Sequence, residues 1–372
     1  MHILFAGGGT AGHINPALAV AGYIRERHPD AHISYIGTPD KLEARLVPEK
    51  GYNFRTIEVA GFQRKLSVKN IGRNISAATK AVTSSITAAK LLKELSPDVV
   101  IGTGGYVSGP VLKQAQRLKI KNAIHEQNAY PGVTTKMLAK NADAVMLAMP
   151  QAQKYLKLKK EPIITGNPVR SELLSMTKQE ARKKLGFDDR PMILSFGGSL
   201  GARRINEAVE ELISYENGKG KYYHIHAAGK SGYNTMLEHL KAKTGELDAN
   251  IRVREYINDM DVCMAAADLV ICRAGAITLS ELEALKKPSI LIPSPYVAEN
   301  HQFHNAMTLK RCGAAEIIEE KDLTGEGLIK TVSMLIENKP KLELMSVAAG
   351  KNAILDANER IYQVIMQLYT AR

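Results

Sequence analysis

Apolar residues in this chain gather in short runs separated by stretches with helical spacing. Runs at 2–6, 31–36, 54–59, 98–101, 122–125, 144–147 and 162–164 predict strands in the first half. Runs at 192–196, 222–227, 251–254, 269–272, 289–292 and 315–318 predict strands in the second. Between them, sets such as Leu18, Ala21 and Ile24 repeat at helical spacing. Asn15 as N-cap and Pro16 at the first helical position predict the start of the first helix, and His28-Pro29 its end. The tail from 322 to 372 reads as helix. Strand–helix alternation predicts an α/β fold of doubly wound parallel sheets. Punctuation at Thr165-Gly166-Asn167-Pro168-Val169-Arg170 places a domain boundary between 1–164 and 165–340.

Each half opens with a strand that runs into a glycine-rich turn. The first is Gly7-Gly8-Gly9-Thr10-Ala11-Gly12-His13 and the second Gly197-Gly198-Ser199-Leu200-Gly201-Ala202-Arg203. Such turns let backbone amides at a helix start approach a phosphate. Having the unit twice predicts two nucleotide-type domains facing a cleft, suited to joining two phosphate-bearing substrates. Residues 7–12 also satisfy G-x-G-x-x-G, but the second strand ends Ile36-Gly37-Thr38-Pro39 without the ribose-binding acid a nicotinamide enzyme needs.

Charge sharpens the picture. Residues 1–164 carry 23 basic and 11 acidic residues, whereas residues 165–372 carry 27 of each, so the whole net charge of +12 lies in the first half. Between Glu58 and Glu94 there is no acid, but there are seven cations from Arg64 to Lys93, interleaved with apolar residues such as Phe62, Val82, Ile86 and Leu92. The stretch 62–92 therefore reads as a contact for an anionic surface, with a solvated helix pair as the plainer alternative. No apolar run approaches the length of a membrane span, and no basic region or cleavage site precedes the first strand, so no signal peptide is expected. Cys263, Cys272 and Cys312 lack metal spacing and a disulfide framework, which points to a reducing compartment. Aromatic residues make up only 5% of the chain and no nucleic-acid module is present, so nucleic acid is not an expected partner.

Other polar clusters follow strands. Gly102-Thr103-Gly104-Gly105-Tyr106-Val107-Ser108-Gly109-Pro110 reads as a second phosphate nest, and His125-Glu126-Gln127-Asn128 ends a strand where open sheets place ligands. His13 can accept a proton from an attacking hydroxyl, or simply bond backbone. Glu281, early in a helix, can reach a ribose diol or complement the helix dipole. Asp259-Met260-Asp261 spells a D-x-D, which helix-start acids explain without a metal.

These segments together, with Gly166-Asn167-Pro168-Val169-Arg170 and Gly275-Ala276-Ile277-Thr278-Leu279-Ser280-Glu281, resemble the MurG family of bacterial N-acetylglucosaminyltransferases across essentially the whole chain. The resemblance implies a GT-B fold: two Rossmann-like domains, with a C-terminal helical segment, 341–372, packing back toward the first. It implies inverting transfer of N-acetylglucosamine from UDP-N-acetylglucosamine to the 4-hydroxyl of the muramyl sugar of lipid I, giving lipid II, without metal or cofactor. His13 is then the general base. Thr10, Asn128, Arg170, Ser199, Ile257, Ala276, Ile277, Thr278, Glu281 and Gln302 belong to the donor site. Gly12, Gly104, Gly105, Tyr106, His125 and Glu126 belong to the acceptor site. The protein is expected at the cytoplasmic face of the cell membrane as a peripheral protein, with other cell-wall enzymes as candidate partners. The competing reading on the same fold is a UDP-N-acetylglucosamine 2-epimerase, which needs neither lipid acceptor nor basic patch.

Overall fold

The computed structural model describes residues 1–59, 68–198 and 200–371, apart from the side chains of 68–79 and 81. The chain forms two compact units, Met1–Pro168 with Asp356–Arg372, and Val169–Leu355.

In the first unit the strands are β1 (His2–Gly7), β2 (His32–Gly37), β3 (Asn53–Thr56), β4 (Val99–Gly104), β5 (Lys121–Glu126), β6 (Ala144–Leu147) and β7 (Ile163–Ile164). Its helices are α1 (Ala11–Arg27), α2 (Glu43–Glu49), α3 (Val68–Leu95), α4 (Gly105–Arg117) and α5 (Val133–Leu138). The sheet order is β3-β2-β1-β4-β5-β6-β7, and every pairing is parallel. Central strands are apolar on both faces because helices cover both: Ile3, Leu4, Phe5 and Ala6 of β1 are all buried. The strand order reverses between β1 and β4, so the crevice beyond their C-terminal ends receives both glycine turns of this half.

The second unit repeats the plan with β8 (Met192–Phe196), β9 (Tyr223–Ala227), β10 (Ile251–Arg254), β11 (Leu269–Cys272), β12 (Ser289–Leu291) and β13 (Ala315–Ile317). Between and after them run α6 (Lys178–Leu185), α7 (Arg203–Glu216), α8 (Tyr233–Thr244), α9 (Met260–Ala266), α10 (Ala276–Ala284), α11 (His301–Arg311), α12 (Gly325–Ile336) and α13 (Lys339–Gly350). The order β10-β9-β8-β11-β12-β13 is again all parallel, with its reversal between β8 and β11. The described residues of the turns after those two strands, 197–198 with 200–202 and 273–275, therefore lie on the crevice side of that unit's sheet.

Three expectations need correction. The first helix starts at Ala11, not at Pro16: Thr10 is extended (φ −139°, ψ 153°), and its carbonyl already accepts from His13 and Ile14 N–H at 3.0 and 3.3 Å. Pro16 sits in the second turn, where its missing N–H leaves the Gly12 carbonyl without a ladder bond. Likewise Gly105–Pro110 is not a loop but the start of α4. The chain returns to the first unit from Asp356, later than 341. α13 stays with the second unit, where Ser346 Oγ donates to Lys286 O at 2.8 Å. Only the last helix, α14 (Ala357–Thr370), lies on α1. There Ile361, Val364 and Ile365 join the core of Ile3, Phe5 and Ala17, Tyr23 hydroxyl bonds Glu359, and His28 Nε2 meets Tyr362 Oη at 2.7 Å.

Candidate functional site

In the first unit the glycine turns are interlocked. A Cβ on Gly105 (φ +79°) would stand 2.4 Å from Gly8 O, and one on Gly104 (φ +110°) 2.5 Å from His13 Nδ1. The two turns pack backbone to backbone, and the imidazole lies against Gly104. Ser108 Oγ, from the first turn of α4, accepts from Gly104 N–H at 3.0 Å and lies 2.5 Å from Ala6 O, tying the ends of β4 and β1 together.

Hydrogen bonding settles which nitrogen of His13 carries the proton. Gln127 Nε2 donates to His125 O at 3.0 Å, a bond only an amide nitrogen can make, so Gln127 Oε1 faces His13 Nδ1 at 3.1 Å. That oxygen only accepts, so Nδ1 bears the hydrogen and the neutral ring keeps its lone pair on Nε2. His125 completes the support. Its Nε2 donates to Gly166 O at 2.9 Å and its Nδ1 accepts from Gln127 at 3.0 Å. Burial pushes the His125 imidazolium down from its ordinary range, which keeps this ring neutral.

Glu126 is also a support. Its Oε1 accepts from Asn128 N–H and Nδ2 at 3.1 and 3.0 Å, its Oε2 from Gly132 N–H and Thr135 Oγ1 at 3.0 and 2.6 Å. With its carboxylate on four donors and almost no exposure, it shapes the loop beyond β5. Tyr106, by contrast, is exposed, and Thr10 and Gly12 lie at the open start of α1.

In the second unit, Gly198 (φ +96°) and Gly201 (φ +79°) turn the chain from β8 toward α7, closed by Gly201 N–H to Gly198 O at 2.9 Å. Ser199 lies outside the described residues. Gly275 precedes α10, whose ladder begins with Leu279 N–H to Gly275 O at 3.0 Å. The first-turn amides of Ala276, Ile277 and Thr278 thus come before that ladder. Arg170 and Glu281, expected on the diphosphate and the ribose, pair with each other through Nε and Oε1 at 3.0 Å. Burial raises the Glu281 carboxyl, and Arg170 partly offsets it. Gln302 Oε1 accepts from Ser294 N–H at 2.9 Å, leaving its amide nitrogen to donate. Ile257 has its side chain buried, so only its backbone can meet a ligand. Asp259, of the D-x-D, pairs with Arg254 at 2.6 Å. An open cavity of about 530 Å³ at this strand edge is lined by Arg203, Arg204, Arg273, Tyr296 and Phe303 among others.

Beneath the second glycine turn runs a buried polar chain with no clear sequence signal. Asn206 Nδ2 donates to Ala228 O at 2.8 Å, which turns its Oδ1 to His226 Nε2 at 3.3 Å. His226 Nδ1 then accepts from Ser195 Oγ (2.7 Å), and Ser195 Oγ accepts from His224 Nε2 (2.8 Å). His224 Nδ1 meets Glu216 Oε2 at 2.7 Å. Burial, then the charge of His224, push His226 down to about 3.

The stretch 62–92 lies outside the described residues as far as 67. Beyond that it is one helix, α3, rather than a pair. Ala88 and Leu92 face the core, whereas Val82 and Ile86 are exposed beside Lys90, Lys93, Lys113 and Arg117, which line a second groove. Among the described residues no helix is long and apolar enough to cross a membrane.

Two all-parallel Rossmann-like units, each with a glycine turn at its sheet reversal, make up a GT-B fold. The chain belongs to glycosyltransferase family 28, whose N-terminal domain matches residues 3–147 and whose C-terminal domain matches 192–361. The UDP-N-acetylglucosamine–N-acetylmuramyl-(pentapeptide) pyrophosphoryl-undecaprenol N-acetylglucosamine transferase of Acetivibrio thermocellus is 48% identical over 99% of this chain and 98% of its own. Its namesake in Ruminiclostridium cellulolyticum is 44% identical over 99% and 100%. The crystal structure of Acinetobacter baumannii MurG matches with TM-score 0.80 at 30% identity, covering 98% of this chain and 99% of that one. A UDP-GlcNAc 2-epimerase from Neisseria meningitidis shares the fold alone, with TM-score 0.68 at 12% identity over 99% and 100%.

Proposed function

We propose that this enzyme moves N-acetylglucosamine from UDP-N-acetylglucosamine to the muramyl 4-hydroxyl of undecaprenyl-pyrophosphoryl-N-acetylmuramyl-pentapeptide. The observation that carries the reading is full-length likeness at 48% identity to a transferase named for that reaction. The muramyl oxygen bonds the anomeric carbon while the bond from that carbon to the diphosphate oxygen breaks. The configuration inverts and UDP leaves. His13 Nε2, left with its lone pair by Gln127, takes the hydroxyl proton. Arg170, the 197–201 turn with Ser199, and the α10 amides of Ala276, Ile277 and Thr278 take up charge on the departing diphosphate. Glu281 exchanges its Arg170 partner for the ribose hydroxyls, Ile257 backbone reads the uracil edge, and Gln302 holds sugar hydroxyls. Thr10 and Asn128 complete the donor side.

The acceptor pyrophosphate falls to the first unit, at Gly12, Gly104, Gly105 and Tyr106, with His125 and Glu126 supporting rather than touching it. The cations of the 62–92 stretch and the exposed Val82 and Ile86 support contact with an anionic lipid surface, and with it a peripheral position on the cytoplasmic face of the membrane, where other cell-wall enzymes are candidate partners.

UDP release from UDP-N-acetylglucosamine, with and without the lipid acceptor in detergent and EDTA, tests the reading. Acceptor-dependent release is expected. Appearance of the manno epimer without release moves the assignment to the epimerase.

A further inference from the structure

Glu43 opens the short helix α2, and its side chain has no solvent exposure. Its carboxylate accepts three hydrogen bonds from two different turns. Oε1 takes Thr38 N–H at 3.0 Å and Thr38 Oγ1 at 2.7 Å, and Oε2 takes Gly9 N–H at 3.0 Å. The fit is close, since a Cβ on Gly8 would stand 2.2 Å from Oε1. Nearby, burial and then the negative charge of Glu43 raise the Tyr35 phenol. A glycine turn built for an anion is expected to aim its amides at the ligand. Here Gly9 (φ +87°) aims its amide at the protein's own buried carboxylate instead. An incoming phosphate is left the start of α1, where Ala11 and Gly12 precede the first helical bonds, those of His13 and Ile14 to Thr10 O.

We propose that Glu43 is a positioning residue of the acceptor site: an internal anion that holds Gly9 inward, so that phosphate contacts fall on the first turn of α1 and His13 is carried to its working place. The proposal rests on the reading of the first unit as the acceptor-binding one. It assigns a task to a residue that touches no substrate, 30 positions or more from the loop it controls. Charge is essential to that task, because three donors converge on two oxygens and a neutral amide cannot accept at both ends.

Glu43→Gln separates this role from simple filling of space. Its oxygen can keep Thr38, but its amide nitrogen then meets Gly9 N–H donor to donor, and the loop is released with the volume unchanged. The expected result is an acceptor KM raised by about tenfold or more, with donor KM within about twofold. Melting temperature changes little, while amide hydrogen exchange speeds up in peptides covering 7–13. Unchanged acceptor kinetics and exchange overturn the proposal. So does a joint loss of melting temperature and of both KM values, which marks a purely structural group. Should Glu43→Gln not fold, the Gly9 amide resonance of the wild-type enzyme decides instead. It moves with carboxylate protonation on acid titration if the proposal holds, and staying fixed overturns it. A wild-type enzyme that transfers nothing to the lipid acceptor sinks the functional reading, while exchange and the Gly9 resonance still judge the hold of Glu43 on the loop.

Discussion

His13 shows how little a residue's identity says about its role until its partners are known. Its place in the first glycine turn was legible as a candidate base. The nitrogen left to act was not, because Gln127 lies 114 positions away. In the motif His125-Glu126-Gln127-Asn128, His125 and Glu126 were expected on the acceptor and Asn128 on the donor, and Gln127 had no assigned role. The structure divides the work: His125 orients Gln127, Gln127 orients His13, and Glu126 holds the loop out to Thr135. Removing the imidazole in His13→Ala is expected to lower kcat by about 10²–10⁴-fold in the UDP-release assay. Gln127→Leu loses only the orientation, so kcat is expected to fall by about tenfold with both KM values nearly unchanged. Adding it to His13→Ala then costs little more, because the two act as one unit.

Among the elements, the strands were the most legible, because central strands such as β1 and β11, buried on both faces, write themselves as apolar runs. Helix starts were less so. Pro16, expected at the first helical position, stands in the second turn of α1, and α4 begins at Gly105 inside the stretch expected as a phosphate nest. The chain from Glu216 through His224, Ser195 and His226 to Asn206 joins α7, β8 and β9 under the second glycine turn, and its members are scattered over more than 30 positions. His226 is pushed well below the ordinary histidine value of 6.5, to about 3. The unfolded chain therefore binds a proton that the folded one refuses between those limits. Stability from this residue is complete above about pH 6.5 and is lost as pH falls toward 3. Acid titration followed by circular dichroism is expected to show a shallower loss in His226→Gln than in the wild type, measured against each protein's own stability at neutral pH.

At the scale of the whole molecule, charge and chain path follow different rules. The excess of cations in the first half was countable from composition, and the structure sets Val82 and Ile86 outward beside Lys90, Lys93, Lys113 and Arg117. Sedimentation with vesicles is expected to show binding to anionic phospholipid, little to zwitterionic lipid, and a fall as salt rises from about 0.05 to 0.5 M, where screening shortens to a few ångströms. Binding that ignores both lipid charge and salt counts against this face. The sequence by itself determined the class of fold, the doubling of the glycine turn and the uneven charge, because periodicity, glycine geometry and composition are local properties of the chain. Only the tertiary structure decided that α13 stays with the second unit while α14 completes the first, that Arg170 and Glu281 hold each other, and that Glu43 fills the hand of the first loop. Each of these joins groups far apart in the chain through a contact of about 3 Å, and no local pattern encodes which distant donor a buried acceptor will meet.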